Sequence, residues 1–207
     1  MILRRPPASV MPPLPPITRA LMFICAGVYF AITLLNLPID TLALWPLSTG
    51  RFWPWQVVTY GFLHVDMLHL FFNMLGLWMF GSEIERLWGD RRYIQFLLAS
   101  VVSAAGVQLV WSAMIGSGVP TIGASGALFG VLLAFGMLFP NRTVMLLIPP
   151  IPMKAKVLVA VYGALELLAG LSGRTGIAHF AHLGGMLGGF LMIRYWRGQA
   201  PFRRRRR

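Results

Sequence analysis

Ser125 is the side chain of this chain best placed for covalent chemistry. It stands in Gly123-Ala124-Ser125-Gly126, at the head of an apolar run. Glycines on either side leave the backbone uncrowded, so another chain can approach it and backbone N–H groups can face a developing negative charge. The same small residues let membrane helices approach closely, and helix packing is the competing reading of this stretch taken alone. His69 and Asn73 are four apart, which places them on one face of a helix, one turn apart. Polar groups in a segment otherwise made of Leu, Phe and Met must face protein or a water-filled cavity. His182 precedes Gly184, Gly185, Gly188 and Gly189, two interleaved GxxxG steps that mark a helix pressed closely on a neighbour. If the helices of Ser125 and His182 are neighbours, a hydroxyl and an imidazole come to similar depth from the same side. Such a pair can activate a serine nucleophile. Glu85 is read structurally, in an interfacial network with Arg86 or Arg91, while Glu166 could orient a histidine or bond to a loop, the structural bond being favoured because snorkelling relieves much of its cost.

These residues need elements to hold them, and composition names the solvent. Of 207 residues 57% are hydrophobic and only 12% charged, with a mean hydropathy of +0.70, which points to a polytopic membrane protein. The net charge of +12 is carried between apolar runs and in the tract Arg203 to Arg207, not on a basic domain face, so nucleic acid is not the expected partner. Cys25 is the only cysteine, which excludes an intramolecular disulfide and a cysteine-based metal site. No cofactor or metal is called for.

Residues 1–19 form a proline-rich basic leader, and residues 20–197 the membrane domain, followed by a basic tail over 198–207. Six helices are expected: Ala20 to Leu37, Asp66 to about Glu83, Tyr93 to about Ile115, Ser125 to about Phe139, Ala155 to Leu171, and Ile177 to Trp196. Asp66 suits the N-cap of the second, and Pro140 disfavours helix in the residue before it. The fourth helix, at 1.5 Å per residue, covers roughly 22 Å against a hydrocarbon thickness of about 30 Å. With its Pro140 end at one interface, Ser125 lies on the order of 8 Å below the other, and the loop before it dips into protein. Prolines 149, 150 and 152 make Thr143 to Pro152 a surface excursion. With six spans, only Arg51 and Arg174 of the 18 Lys and Arg fall on the side opposite the termini. That asymmetry places both termini in the cytoplasm and opens the Ser125 cavity to the outside.

Over residues 17–197 the chain resembles the rhomboid intramembrane serine proteases, in the six-helix form common in bacteria. The matching elements are His69-x-x-x-Asn73, Gly81-x-x-x-Glu85-x-x-x-Gly89, Gly123-Ala124-Ser125-Gly126 and Ala181-His182-x-x-Gly185-x-x-x-Gly189, in that order. One departure is Trp55-Gln56, where family members often carry a Trp-Arg pair. The resemblance implies an all-α bundle with a short central fourth helix, and a Ser-His dyad without an obligatory acid. Ser125 is then the nucleophile and His182 the general base. The oxyanion is held by the Ser125 backbone N–H with His69 and Asn73. Phe129 packs on His182, Gly123 and Gly126 support the serine, and Gly185 and Gly189 bring helix six against helix four. The implied substrates are single-span membrane proteins whose helix unwinds near the outer interface of a bacterial inner membrane; oligomeric state is left open.

Other readings stand beside this one. A non-catalytic relative that binds or escorts transmembrane helices needs neither Ser125 nor His182, and both are present. A transporter predicts internal repeats, which the chain lacks. A membrane-embedded lipase predicts a Gly-x-Ser-x-Gly elbow between strand and helix, which is absent from the sequence.

Overall fold

The computed structural model describes residues 13–145, 150–172 and 177–199. Along them run α1 (Pro16–Leu35), a single turn α2 (Gln56–Thr59), α3 (Met67–Gly76), α4 (Ser82–Trp88), α5 (Asp90–Ile115) and α6 (Ser125–Leu138). An antiparallel pair, β1 (Thr143–Met145) and β2 (Pro152–Lys154), leads into α7 (Ala155–Ser172) and then α8 (His179–Trp196). A π-helical turn, Leu77–Gly81, joins α3 to α4. Residues 1–12 of the expected leader and 200–207 of the tail lie outside the described residues.

Local chemistry explains the boundaries. Pro16 opens α1, where a missing N–H costs nothing and a fixed φ is already helical. The next donors are taken by a carboxylate from far along the chain: Glu85 accepts from Ile17 N and Thr18 N, both at 2.7 Å, and from Thr18 Oγ1 at 2.6 Å. Glu85 is therefore not part of a surface network with Arg86 or Arg91. It is 1% exposed and caps α1 from α4. Asp66 caps α3 as expected, accepting from His69 N at 2.7 Å. α6 stops at Leu138, two residues before Pro140.

The interior is a three-helix contact of α5, α6 and α8 made possible by absent side chains. A Cβ on Gly126 would lie 2.7 Å from Ala104 Cβ, and one on Gly188 would lie 2.6 Å from Ala99 O. Gly189 stands against Gly130 Cα at 3.2 Å from where its own Cβ would be. Backbone-to-backbone approach of this kind is how helices gain van der Waals contact where lipid gives no hydrophobic drive. At the end of α6 away from Ser125, Ile84, Tyr93, Phe96, Phe135, Leu158 and Ile193 form an apolar cluster. The outer surface is apolar too: Leu34 is 78% exposed and Leu168 66%.

The bundle is all-α apart from the small hairpin, but it does not hold the six spans expected. Among the described residues three helices, α1, α5 and α7, are long and apolar enough to cross a membrane, and at most four if a bent pair counts as one. The bent pair is Gln56–Phe62 with Met67–Trp88, turned by 100° at the break. α6 has 14 residues, about 21 Å at the helical rise, short of a hydrocarbon core. α8 has 18, but its glycines, His179, His182 and Arg194 lower its apolarity. This is a multi-span helical membrane protein, with fewer spanning helices than the expected six.

One end of the bundle gathers basic side chains. Arg142 Nη1 lies 2.9 Å from Glu83 Oε2, Arg86 donates to the Pro13 carbonyl at 3.1 Å, and Arg92 lies over the Trp196 ring at 5.8 Å. Ser125 is at the opposite end of α6.

Candidate active site

The serine is held by a brace built from the first loop. Leu44 and Thr121 exchange backbone hydrogen bonds at 3.0 and 2.9 Å, and Gly123 N donates to Tyr60 O at 2.9 Å. Tyr60 is itself fixed, its hydroxyl donating to Val101 O at 2.9 Å. Gly123 has φ +130, and a Cβ there would lie 2.9 Å from His69 Cε1, so backbone and space both require glycine. Two residues on, Ser125 opens α6. Its N–H is among the first four of a helix, which the helix cannot satisfy, and the helix dipole favours negative charge at that point.

Ser125 Oγ lies 2.7 Å from His182 Nε2. Phe129, one turn beyond the serine, lies flat on the His182 ring, centroids 4.3 Å apart and planes within 3°. Tyr162 of α7 meets the Phe129 edge at 6.2 Å. The glycine faces of α6 and α8 set the depth at which hydroxyl and imidazole meet.

Beside the serine, His69 accepts from Val65 N at its Nδ1, 3.4 Å away. Since a backbone N–H can only donate, neutral His69 carries its proton on Nε2. That atom lies 3.0 Å from where a Cβ on Gly123 would be. Asn73, 3% exposed, donates from Nδ2 to the His69 carbonyl at 2.9 Å, leaving its second amide proton. His69 thus stands against the serine loop, and Asn73 one turn further along α3.

Two residues join the site: Glu166, for which the sequence favours a structural bond over orienting a histidine, and His179, which it does not single out. Glu166 of α7 accepts on one oxygen, Oε2, from His182 Nδ1 at 2.8 Å and from His179 Nδ1 at 2.6 Å. It does not snorkel. His179 and His182 are three apart at the start of α8, a spacing that puts both on one face and was available as a signal. Their three ligand-type atoms lie within 4.8 Å of one another, the one such group among the described residues with metal-binding chemistry.

The Trp55-Gln56 departure has its own solution. Gln56 is fully buried; its Oε1 accepts from Trp45 N and Trp53 N, each at 3.2 Å, and its Nε2 donates to Arg51 O at 3.1 Å. One neutral amide closes the loop that braces Gly123.

Comparison with known proteins places the sequence in a family. Residues 51–198 match the family model described as Rhomboid domain. The chain is 28% identical over 186 residues to the rhomboid protease GlpG of Yersinia pestis, covering 87% of this chain and 62% of that protein. It is 34% identical over 142 residues to rhomboid protein 1, mitochondrial, of Saccharomyces cerevisiae, covering 66% of this chain and 40% of that one. The chain thus spans about three fifths of the length of the bacterial relative.

Proposed function

The chain belongs to the rhomboid family, and on that premise we propose that it is an intramembrane serine endopeptidase acting through Ser125 and His182. The observation that carries the reading is the 2.7 Å contact between Ser125 Oγ and His182 Nε2, inside a bundle with an apolar exterior. As Oγ attacks the scissile carbonyl, its proton passes to Nε2, and His182 then returns that proton to the leaving amine. Water, deprotonated by the same nitrogen, releases the acyl group from Ser125. The oxyanion faces the Ser125 N–H, the Nε2–H of His69 and the second Nδ2 proton of Asn73.

The substrates are transmembrane segments of single-span membrane proteins. A peptide bond inside a regular helix has its carbonyl engaged, so cleavage favours segments that unwind near the interface where Ser125 sits. The basic end of the bundle faces the cytoplasm by the positive-inside rule, which puts both termini there and opens the serine to the outside of a bacterial inner membrane. This orientation rests on where Arg86, Arg92 and Arg142 gather, not on a span count.

The test is fluorophosphonate labelling of the purified protein, read by intact mass, alongside cleavage of a single-span substrate in liposomes. Label and cleavage in wild type, and neither in Ser125→Ala or His182→Ala, is the expected result. Equal cleavage by wild type and Ser125→Ala defeats the mechanism, and a folded but inert wild type is a helix-binding relative without catalysis.

A further inference from the structure

We propose that Glu166 is a positioning residue for His182, completing a Ser125–His182–Glu166 relay that the resemblance to a dyad protease does not imply. The inference rests on the serine-protease reading of the site.

Three observations converge. Glu166 lies in the middle of the apolar helix α7, where its neighbours Leu165 and Leu168 face outward, yet its own side chain is 12% exposed and turned inward. A carboxylate at such a place is costly unless it is paired, and residues of this kind mark function by default. Its Oε2 is 2.8 Å from His182 Nδ1, on the far side of the imidazole from the 2.7 Å contact to Ser125. A carboxylate can only accept, so the proton of neutral His182 sits on Nδ1, and Nε2 is left with the lone pair that must receive the serine proton. The third observation is His179, whose Nδ1 meets the same oxygen at 2.6 Å. That second donor fixes the carboxylate from the first residue of α8, so its position does not depend on the length of the Glu166 side chain alone.

The spacing favours protons over a metal ion in this cluster. Zinc holds nitrogen and oxygen ligands at about 2.0–2.1 Å, which in a tetrahedron sets neighbouring ligand atoms roughly 3.3 Å apart. The separations here, 2.6 and 2.8 Å, are those of charge-assisted hydrogen bonds. During reaction the Oγ–H bond breaks, Oγ bonds to the carbonyl carbon, and the proton moves to Nε2. The Nδ1 proton stays on the ring and the carboxylate stays ionised, stabilising the imidazolium that forms.

The experiment compares wild type, Glu166→Gln, Glu166→Asp and Ser125→Ala in liposomes, with kcat and KM resolved for one single-span substrate. Glu166→Gln is expected to lower kcat at least about a hundredfold with KM little changed, approaching the roughly 10⁴ that the corresponding change costs a soluble serine protease. Glu166→Asp, held by His179, should recover part of that loss. The chain has only 4 histidines, so nitrogen-15 NMR of histidine-labelled wild type can read their tautomers directly even if a variant fails to fold. A neutral His182 protonated at Nδ1, switching in Glu166→Gln, supports the relay. Protonation at Nε2 in wild type, stoichiometric zinc in the purified protein, or wild-type kcat in Glu166→Gln while Ser125→Ala is inert, overturns it. In the last case the protease reading survives as a true dyad. If wild type neither cleaves nor takes up fluorophosphonate, that reading itself falls and the relay with it.

Discussion

Gly185 of α8 lies so close to the carbonyl oxygen of Gly126 in α6 that no methyl group fits between them. The obstacle is backbone, not the flexible end of a side chain, so a substitution there must move a helix. Gly185→Ala is expected to destabilise by about 1–3 kcal/mol through overpacking. It should also cut kcat by about a hundredfold, since His182 is on the same turn and an ångström of misplacement costs that much. Gly106→Ala in α5, where a Cβ meets nothing within 4 Å, should leave the rate unchanged and raise stability to heat by up to about 1 kcal/mol. A wild-type rate in Gly185→Ala would mean the two helices do not set the distance between Ser125 and His182.

Phe129 meets the His182 ring by stacking, not by bonding. Aromatic pairs contribute about 0.5–1.5 kcal/mol beyond their burial, so Phe129→Leu is expected to lose up to about tenfold in kcat. Phe129→Tyr should retain the stack and the rate. Kinetics on the two variants separates ring geometry from bulk.

Asn73 donates one amide proton to the His69 carbonyl and has a second one left. Asn73→Ala should lower kcat by about 10²–10³, the usual effect of losing one oxyanion donor. Asn73→Asp should be as slow, because a carboxylate has no proton to offer. An undiminished rate for Asn73→Ala would remove this residue from the oxyanion site.

Glu85 holds the start of α1 with three hydrogen bonds and takes no part in the site. Bonds to a charged group contribute about 1.5–3 kcal/mol each and are not additive. Glu85→Ala is expected to cost at least about 3 kcal/mol in heat unfolding, Thr18→Val markedly less. Residual folded Glu85→Ala should still take up fluorophosphonate at Ser125, which a catalytic role would forbid.

What the sequence reveals here is local. Asp66 as a cap, the shared face of His69 and Asn73, the start of α6 at Ser125 and its stop before Pro140 all follow from spacings of a few residues. The partners of Glu85, 67 and 68 residues away, do not. Nor does the choice between the two readings of Glu166, because in sequence it is one carboxylate in an apolar run, and orienting a histidine depends on α8 folding back to present His179 and His182. The span count failed because six helices are not six crossings: α6, with 14 residues, is too short for a hydrocarbon core, and the glycines, histidines and Arg194 that α8 carries lower its apolarity.

Glu166 ties α7 to the start of α8 through His179 and His182 at once, so the two helices are joined by polar bonds beside the serine. α7 is the helix that carries one arm of the relay without contributing the serine or the histidine. Any outward shift of α7 would draw the carboxylate from both imidazoles together. The orientation of the His182 ring is thus set by a helix that supplies neither the serine nor the histidine.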